Sequence, residues 1–181
     1  EYSTRKQQIK TKLSASGADM MRSIDNLKTA GVLPDEDFFR LDAGANEAFL
    51  FHGTSEAAAE GITSGDFLIN MAGSNAGTLY GKGVYLAESP SKSDEYGREN
   101  GRGEHCILVC RAALGFVNYT DEVAPNVDNL VKSCIKGPYH SVLGDREKCR
   151  GTFREIIVYD DDQVYPEYVI WYERVYNASQ R

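Results

Sequence analysis

Residues 50–62 read LFHGTSEAAAEGI, which places the end of an apolar strand directly before a short, Ala-rich helix. At the junction, His52, Gly53 and Thr54 bring together an imidazole ring, a backbone position without a side chain and a hydroxyl. Strand ends that lead into helices commonly hold ligands. The pattern predicts a ligand site here, and the alternative for the tripeptide alone is a buried histidine before a helix cap.

The chain from Glu47 onward alternates short β-rich runs with Gly-rich loops. The runs are rich in aromatic and branched residues and predict strands: EAFLFHG (47–53), KGVYLAE (82–88), HCILVCRAALG (105–115), EIIVYD (155–160) and EYVIWYERVY (167–176). Helices are predicted at roughly 55–62 and 90–98, and a weak helical pattern in DMMRSIDNLKTAGVL (19–33) predicts a helical lead-in. Many strands with few short helices indicate an α+β fold, for which we predict two small, mostly antiparallel sheets packed face to face with short flanking helices.

Length and composition limit the class of protein. With 181 residues, 41% of them hydrophobic, the chain suits one core, which we divide into a helical or irregular lead-in (1–44) and a folded domain (45–181). A net charge of -7 argues against a nucleic-acid surface. No apolar run approaches the ~20 residues of a membrane span and no leader is evident, so we expect a soluble protein without a membrane partner.

The four cysteines, Cys106, Cys110, Cys134 and Cys149, show neither a CxxC pair nor paired histidine spacing. We therefore expect reduced thiols, no metal site and an intracellular location, nuclear or cytoplasmic. The chain begins at Glu1 without Met, which suggests a piece of a longer protein.

Two connecting segments stand out. NMAGSNAGTLYGKG (70–83) has the glycines of a flexible cover over a pocket, although its spacing is not that of a P-loop. The second, 118–152, is long for a connection in a compact domain, so we expect it to be functional or partly disordered.

The stretch YGKGVYLAESPSKSDEYG (80–97) supplies further candidate residues. Tyr85 ends a predicted strand, and Ser93 and Tyr96 are three residues apart on one face of the predicted helix. Two tyrosines could enclose a flat ring while the serine bonds an amide. The alternative is a core aromatic beside a surface tyrosine.

Glu155 stands at the start of the apolar run EIIVYD. Glutamates are seldom fully buried without a partner, so this one is either a surface residue at a strand start or a placed catalytic group.

Together these motifs resemble the His-Tyr-Glu signature of the poly(ADP-ribose) polymerase family. The resemblance is carried by His52 in LFHGT, Tyr85 in GKGVYLAE, the SKSDEY that follows it, and Glu155 in REIIVYD, and it covers roughly residues 45–176. The final YPEYVIWY is similar to tankyrase-like members. The implied fold is the ADP-ribosyltransferase fold, and the implied enzyme is a glycosyltransferase of the pentosyl type.

The resemblance implies that NAD is a substrate whose nicotinamide–ribose bond is cleaved. It implies that Gly53 and Ser93 bind the nicotinamide amide, that Tyr85 and Tyr96 stack on its ring, and that His52 holds the adenosine ribose, with Thr54 beside it. Glu155 would stabilise positive charge on the ribose and activate the acceptor, so the implied catalytic residues are Glu155, His52 and Tyr85. The acceptor would be a protein, including the chain itself, and it would face the loop around 140–152.

The sequence departs from family members in two ways. Tankyrases carry a zinc-binding Cys/His cluster in the donor-loop region, whereas residues 65–83 contain neither Cys nor His, which supports the absence of a metal. The DNA-activated members have a preceding helical regulatory domain, for which the residues before the match are too few. We therefore expect constitutive activity.

Three functional alternatives stay open at this point. The chain could be a mono-ADP-ribosyltransferase and not a polymerase. It could be a non-catalytic module that binds NAD or ADP-ribose. It could also resemble an RNA-modifying 2′-phosphotransferase, against which the acidic charge and the lack of a basic stripe argue.

Overall fold

The computed structural model describes residues 1–16, 23–31, 39–69 and 78–176. Within these ranges lie five α-helices and seven strands. The helices are α1 (Tyr2–Ala15), α2 (Glu56–Ser64), α3 (Pro90–Asp94), α4 (Val127–Ile135) and α5 (Arg146–Arg150). The strands are β1 (Glu47–Thr54), β2 (Val84–Ala87), β3 (His105–Ala113), β4 (Val117–Thr120), β5 (Ser141–Asp145), β6 (Arg154–Val158) and β7 (Val164–Tyr172).

The strands form one hydrogen-bonded sheet in the order β4-β5-β6-β2-β1-β3-β7. All neighbouring pairs are antiparallel except β4 and β5. The α+β class and the mostly antiparallel pairing are confirmed. The prediction of two sheets is corrected to one sheet, because β1 and β2 pair at Phe51 and Ala87 and so connect the two halves.

That connection is short compared with the other pairings. β1 pairs with β3 along its whole length, from Glu47 to Thr54, but its register with β2 consists of one pair. The edge of β1 after Phe51 therefore lacks a ladder with β2, and the two halves separate there.

The five predicted strands are all present, and so are the helices after Thr54 and around Pro90. α2 begins where Ser55 caps it: the Ser55 side chain accepts a hydrogen bond from the backbone N–H of Ala58. The second helix is shorter than predicted and ends at Asp94.

The structure decides part of one prediction for a connecting segment, and part of another falls outside the described residues. The segment 118–152 contains the end of β4, the helices α4 and α5, and β5, so the alternative of partial disorder is wrong and the functional alternative stays a prediction. The helical lead-in exists, but as α1; residues 23–31 of the predicted helical pattern form turns, and 17–22 and 32–38 are outside the described residues.

One apolar cluster joins both halves of the sheet. It includes Leu50 and Leu108 from one half and Leu86, Leu143 and Ile156 from the other. α1 packs on a separate cluster through Ile9 and Leu13, where its Lys6 and Tyr2 also contact the buried Glu47. Within the described residues, no helix has the length and apolar character needed to cross a bilayer.

Candidate active site

A cavity of about 750 Å³ lies where the two halves of the sheet separate. All seven residues singled out from the sequence line it: His52, Gly53, Thr54, Tyr85, Ser93, Tyr96 and Glu155. They come from β1, β2, β6 and the region of α3, so chain segments far apart in sequence meet at one place.

His52 bridges the separation between β1 and β2. Its Nδ1 is 2.9 Å from the carbonyl oxygen of Tyr85, and its ring meets Phe67 edge-on with centroids 5.1 Å apart. Because a carbonyl only accepts, Nδ1 carries the proton, and burial lowers the pKa of the imidazole so that the ring is neutral. Nε2 is then left as an acceptor, and His52 lines the cavity.

Gly53 is required by the protein backbone itself. A Cβ built on Gly53 would lie 1.7 Å from the carbonyl oxygen of Ser93 and 2.6 Å from its carbonyl carbon. The contact that a side chain at Gly53 would block is the approach of α3. The same contact holds Ser93, which is 3% exposed, at the wall of the cavity.

Tyr85 is fixed by both sides of its hydroxyl. The hydroxyl accepts a hydrogen bond from the backbone N–H of Tyr80 at 3.0 Å and donates one to the carbonyl of Gly81 at 2.8 Å. Tyr96 is 37% exposed, with the Lys92 ammonium 5.1 Å from its ring centroid. Tyr85 is therefore held by two hydrogen bonds, Tyr96 lies at the open edge, and both line the cavity.

Glu155 is 4% exposed, which excludes the alternative of a surface residue at a strand start. Its Oε1 is 3.6 Å from Nζ of Lys92 and its Oε2 is 3.9 Å from Nη1 of Arg146. Burial raises the pKa of this carboxyl, while Lys92 and Arg146 act in the opposite direction. A buried carboxylate between two cations is the arrangement expected of a group that works in its charged form.

The sequence profile described as "Poly(ADP-ribose) polymerase catalytic domain" matches residues 1–174. The chain belongs to this family. The resemblance drawn from the four motifs is confirmed, and with it the class of enzyme, an NAD-dependent ADP-ribosyltransferase.

The chain is similar to a relative named as a poly(ADP-ribose) polymerase and to relatives named as mono-ADP-ribosyltransferases. It is 27% identical over 179 residues to "Poly [ADP-ribose] polymerase tankyrase" of Caenorhabditis elegans, covering 81% of the chain and 8% of that relative. It is 41% identical over 71 residues to "Protein mono-ADP-ribosyltransferase PARP10" of Mus musculus (38% and 7%), and 28% identical over 130 residues to "Protein mono-ADP-ribosyltransferase PARP12" of Homo sapiens (70% and 17%). The chain therefore spans less than a fifth of the length of each of these relatives.

Sequence reasoning missed the two cations of this poly(ADP-ribose) polymerase catalytic domain that flank Glu155. Lys92 lies in the SKSDEY motif, immediately before Ser93, so its neighbourhood was a usable signal. Arg146 lies in the segment 118–152 that resembled a long loop, and no sequence pattern connects it to Glu155.

Three further predictions concern the cover over the cavity, the absence of a metal and the domain boundary. Of the predicted cover 70–83, residues 70–77 are outside the described part of the chain. Among the described residues, no group of three or more His, Cys, Asp or Glu side chains is arranged to hold a metal ion. The domain boundary at residue 45 stays a prediction, and the family match includes residues on both sides of it.

Proposed function

We propose that this domain transfers ADP-ribose from NAD to protein acceptors and releases nicotinamide. The observation that carries the proposal is the buried Glu155 carboxylate, held between Lys92 and Arg146 at the wall of the cavity that His52 also lines. A binding module gains nothing from a buried charge that costs free energy to desolvate, whereas a transferase needs one beside the developing cation.

The donor's nicotinamide end is assigned to the part of the cavity around Ser93. The backbone of Gly53 and the hydroxyl of Ser93 would bond the carboxamide, and the rings of Tyr85 and Tyr96 would stack on the nicotinamide. Support comes from the fixed hydroxyl of Tyr85 and from the tight packing of Gly53 against Ser93. Stacking on an aromatic ring contributes on the order of 1–3 kcal/mol.

The adenosine ribose is assigned to His52 and Thr54. A neutral imidazole with Nδ1–H bonded to the Tyr85 carbonyl presents Nε2 as an acceptor for a ribose hydroxyl. Thr54, two positions further along β1 and on the same face, adds a hydroxyl that can donate or accept. The pair would fix the donor so that its glycosidic bond lies near Glu155.

The chemistry then follows from charge. Cleavage of the nicotinamide–ribose bond sends its electron pair to the ring nitrogen and leaves positive charge on the sugar. The Glu155 carboxylate stabilises that charge and accepts a hydrogen bond from the incoming acceptor hydroxyl or orients an acceptor side chain. The donor is consumed as substrate, so no hydride transfer is involved.

The test is incubation of the domain with NAD labelled in the adenosine moiety, followed by digestion with protease or nuclease. We expect protein-bound label that protease releases and nuclease does not. Glu155→Gln should retain NAD binding and lose roughly 10²-fold or more in transfer. Label bound to nucleic acid would favour the RNA-modifying alternative, and NAD binding without any nicotinamide release by the wild type would favour a non-catalytic module.

We further propose that the domain can extend chains of ADP-ribose. The support is the carboxylate at Glu155, which can activate a ribose hydroxyl of a previous unit as well as stabilise the donor. A denaturing gel of automodified protein tests this at long times and high NAD. A high-mass smear is expected, and a discrete band shifted by one or a few units would identify a mono-transferase.

We also propose that the protein works inside the cell and without a metal ion. The support is that all four cysteines are free thiols and that their spacing lacks paired ligands. Elemental analysis of untagged protein should give less than stoichiometric zinc, and one zinc per chain would overturn the metal-free proposal.

A further inference from the structure

The Glu155 carboxylate has an unusual set of neighbours. It is buried, and its two oxygens face two different cations. Nζ of Lys92 is 3.6 Å from Oε1 and Nη1 of Arg146 is 3.9 Å from Oε2, so both charges attract the carboxylate. The distance to Arg146 is too long for a direct hydrogen bond, so this cation acts through its charge.

Sheet register explains why Arg146 is beside Glu155. Gly144 on β5 is opposite Glu155 on β6, and Arg146 follows Gly144 by two residues at the start of α5. Asp145 caps that helix by accepting a hydrogen bond from the backbone N–H of Lys148. The turn from β5 into α5 therefore delivers the guanidinium to the carboxylate.

The guanidinium has no competing partner in the described part of the chain. Among the described residues, Nε of Arg146 is buried and has no hydrogen-bond partner. The ion pair with Glu155 is the one ion pair that Arg146 makes with a described residue. The neighbouring Arg154 differs, because it makes two hydrogen bonds to Glu88 at 2.7 and 2.8 Å and is fully committed to structure. Lys92 is shared between two carboxylates, because its ammonium is also 2.7 Å from Glu95.

We infer that Arg146 is a positioning residue for Glu155, which holds the second carboxylate oxygen in place and keeps the group charged for transfer. This inference rests on the proposed function. The other titratable groups that face Glu155 are Lys92 on α3, Glu95 directly after α3, Tyr85 on β2 and Tyr80 before β2. Only the two cations favour the ionised carboxylate.

Tyr80 packs over Gly144, the residue opposite Glu155. Its ring occupies the space that a side chain at Gly144 would fill, 2.1 Å from the position of that missing Cβ. Because Gly144 is opposite Glu155, the hydroxyl end of Tyr80 lies beside the carboxylate on the same face of the sheet. Among the described residues that hydroxyl is buried without a hydrogen-bond partner, and burial raises its pKa to about 12, so Tyr80 adds no charge.

Removal of the Arg146 charge should raise the pH at which activity falls on the acid side. An opposite charge at 4–6 Å typically lowers a carboxyl pKa by 1–3 units, and Arg146 is one-third exposed, so the lower end applies. We expect the acid limb of Arg146→Gln to move up by about one pH unit. The KM for NAD should stay within roughly twofold of wild type, because the proposed donor contacts are elsewhere.

The experiment is the rate of nicotinamide release from NAD over roughly pH 5 to 9. The variants are Arg146→Gln, Arg146→Lys, which should restore most of the wild-type profile, and Arg150→Gln. Arg150 is the matched control, since it is exposed at the opposite end of α5 and carries the same charge. Carboxyl-¹³C NMR of labelled glutamates, with Glu155→Gln assigning the signal, measures the same shift without activity.

Superimposable pH profiles and an unmoved Glu155 signal in Arg146→Gln would overturn the inference while leaving the proposed function intact. No nicotinamide release by the wild type would instead refute the proposed function. If Arg146→Gln does not fold, Arg146→Met, which keeps the apolar stem, replaces it. Failure of both neutral variants to fold would show that Arg146 has a structural role and would also overturn the inference.

Discussion

The substitution Gly53→Ala tests the packing that places α3 at the cavity. The new Cβ would begin 1.7 Å from the carbonyl oxygen of Ser93, and ordinary contact begins at 3.4 Å. The obstacle is backbone, so no side-chain rotation can relieve it, and α3 must move away from β1. Overpacking of this kind costs about 1–3 kcal/mol of unfolding free energy, which in a domain of this size lowers the melting temperature by roughly 2–12 °C.

The effect on binding should exceed the effect on stability. Ser93 moves with α3, and a displacement of about 1 Å at a positioning group can cost 10²-fold in function. We therefore expect Gly53→Ala to fold and to lose at least tenfold in affinity for 3-aminobenzamide, measured by calorimetry beside thermal unfolding.

The matched control is Gly101→Ala, because a Cβ on Gly101 has no atom of a described residue within 4 Å and its backbone needs no left-handed conformation. That variant should resemble wild type in both measurements. Wild-type stability together with wild-type 3-aminobenzamide affinity in Gly53→Ala would refute the packing argument.

Three further predictions concern the proposed donor site. His52→Ala should lose NAD affinity while the fold survives; a large fall in melting temperature with NAD affinity unaltered would favour the buried-histidine alternative. Tyr96→Ala should weaken 3-aminobenzamide binding roughly tenfold, because one stacking face is lost, and unchanged affinity by calorimetry would contradict this. Glu155→Gln should raise the melting temperature at neutral pH. Burial raises the pKa of this carboxyl in the folded state, so the carboxyl contributes stability below its unfolded-state pKa. That contribution is lost as the pH rises through its folded-state pKa. The gain over wild type should shrink to zero in acid, and an equal gain at every pH would contradict it.

Strands with strong local signals were predictable from the sequence. β1, β2, β3, β6 and β7 are runs of branched and aromatic residues between glycines, and each run specifies its own extended structure. The candidate site was predictable for the same reason, since each candidate residue belongs to a short motif next to one of these runs or to α3.

The segment between β3 and β6 was not predicted because its elements are short and its signals are mixed. α4 did carry a usable pattern: Val127, Leu130, Val131 and Cys134 recur at helical spacing after Asn126, whose side chain caps the helix. β4 and β5 have four and five residues and gain their definition from pairing with each other and with β6.

The single sheet was missed for a different physical reason. Sequence patterns report which residues are extended, but the joining of two halves depends on one pair, Phe51 with Ala87. Local propensity contains no information about a contact between residues 36 positions apart. The position of Arg146 beside Glu155 was inaccessible for the same reason, because it depends on the register of β5 with β6.

The short connection between β1 and β2 also explains how one cavity can reach both His52 and Glu155. Phe51, Ala87 and Glu155 are in one row of paired residues, so their side chains share a face of the sheet. His52 follows Phe51 and points to the opposite face, where it meets Phe67. A continuous ladder would separate these two faces with hydrogen-bonded backbone.

Here the ladder stops after Phe51, and the His52 imidazole takes the place of the next backbone bond by binding the Tyr85 carbonyl. The cavity at the separated strands is lined by residues of both faces, including His52 on one and Tyr85 on the other. A long donor such as NAD could then contact His52 on one side and present its glycosidic bond to Glu155 on the other. On the proposed assignment, His52 would bond the Tyr85 carbonyl where the ladder ends and bind the donor with the nitrogen that remains.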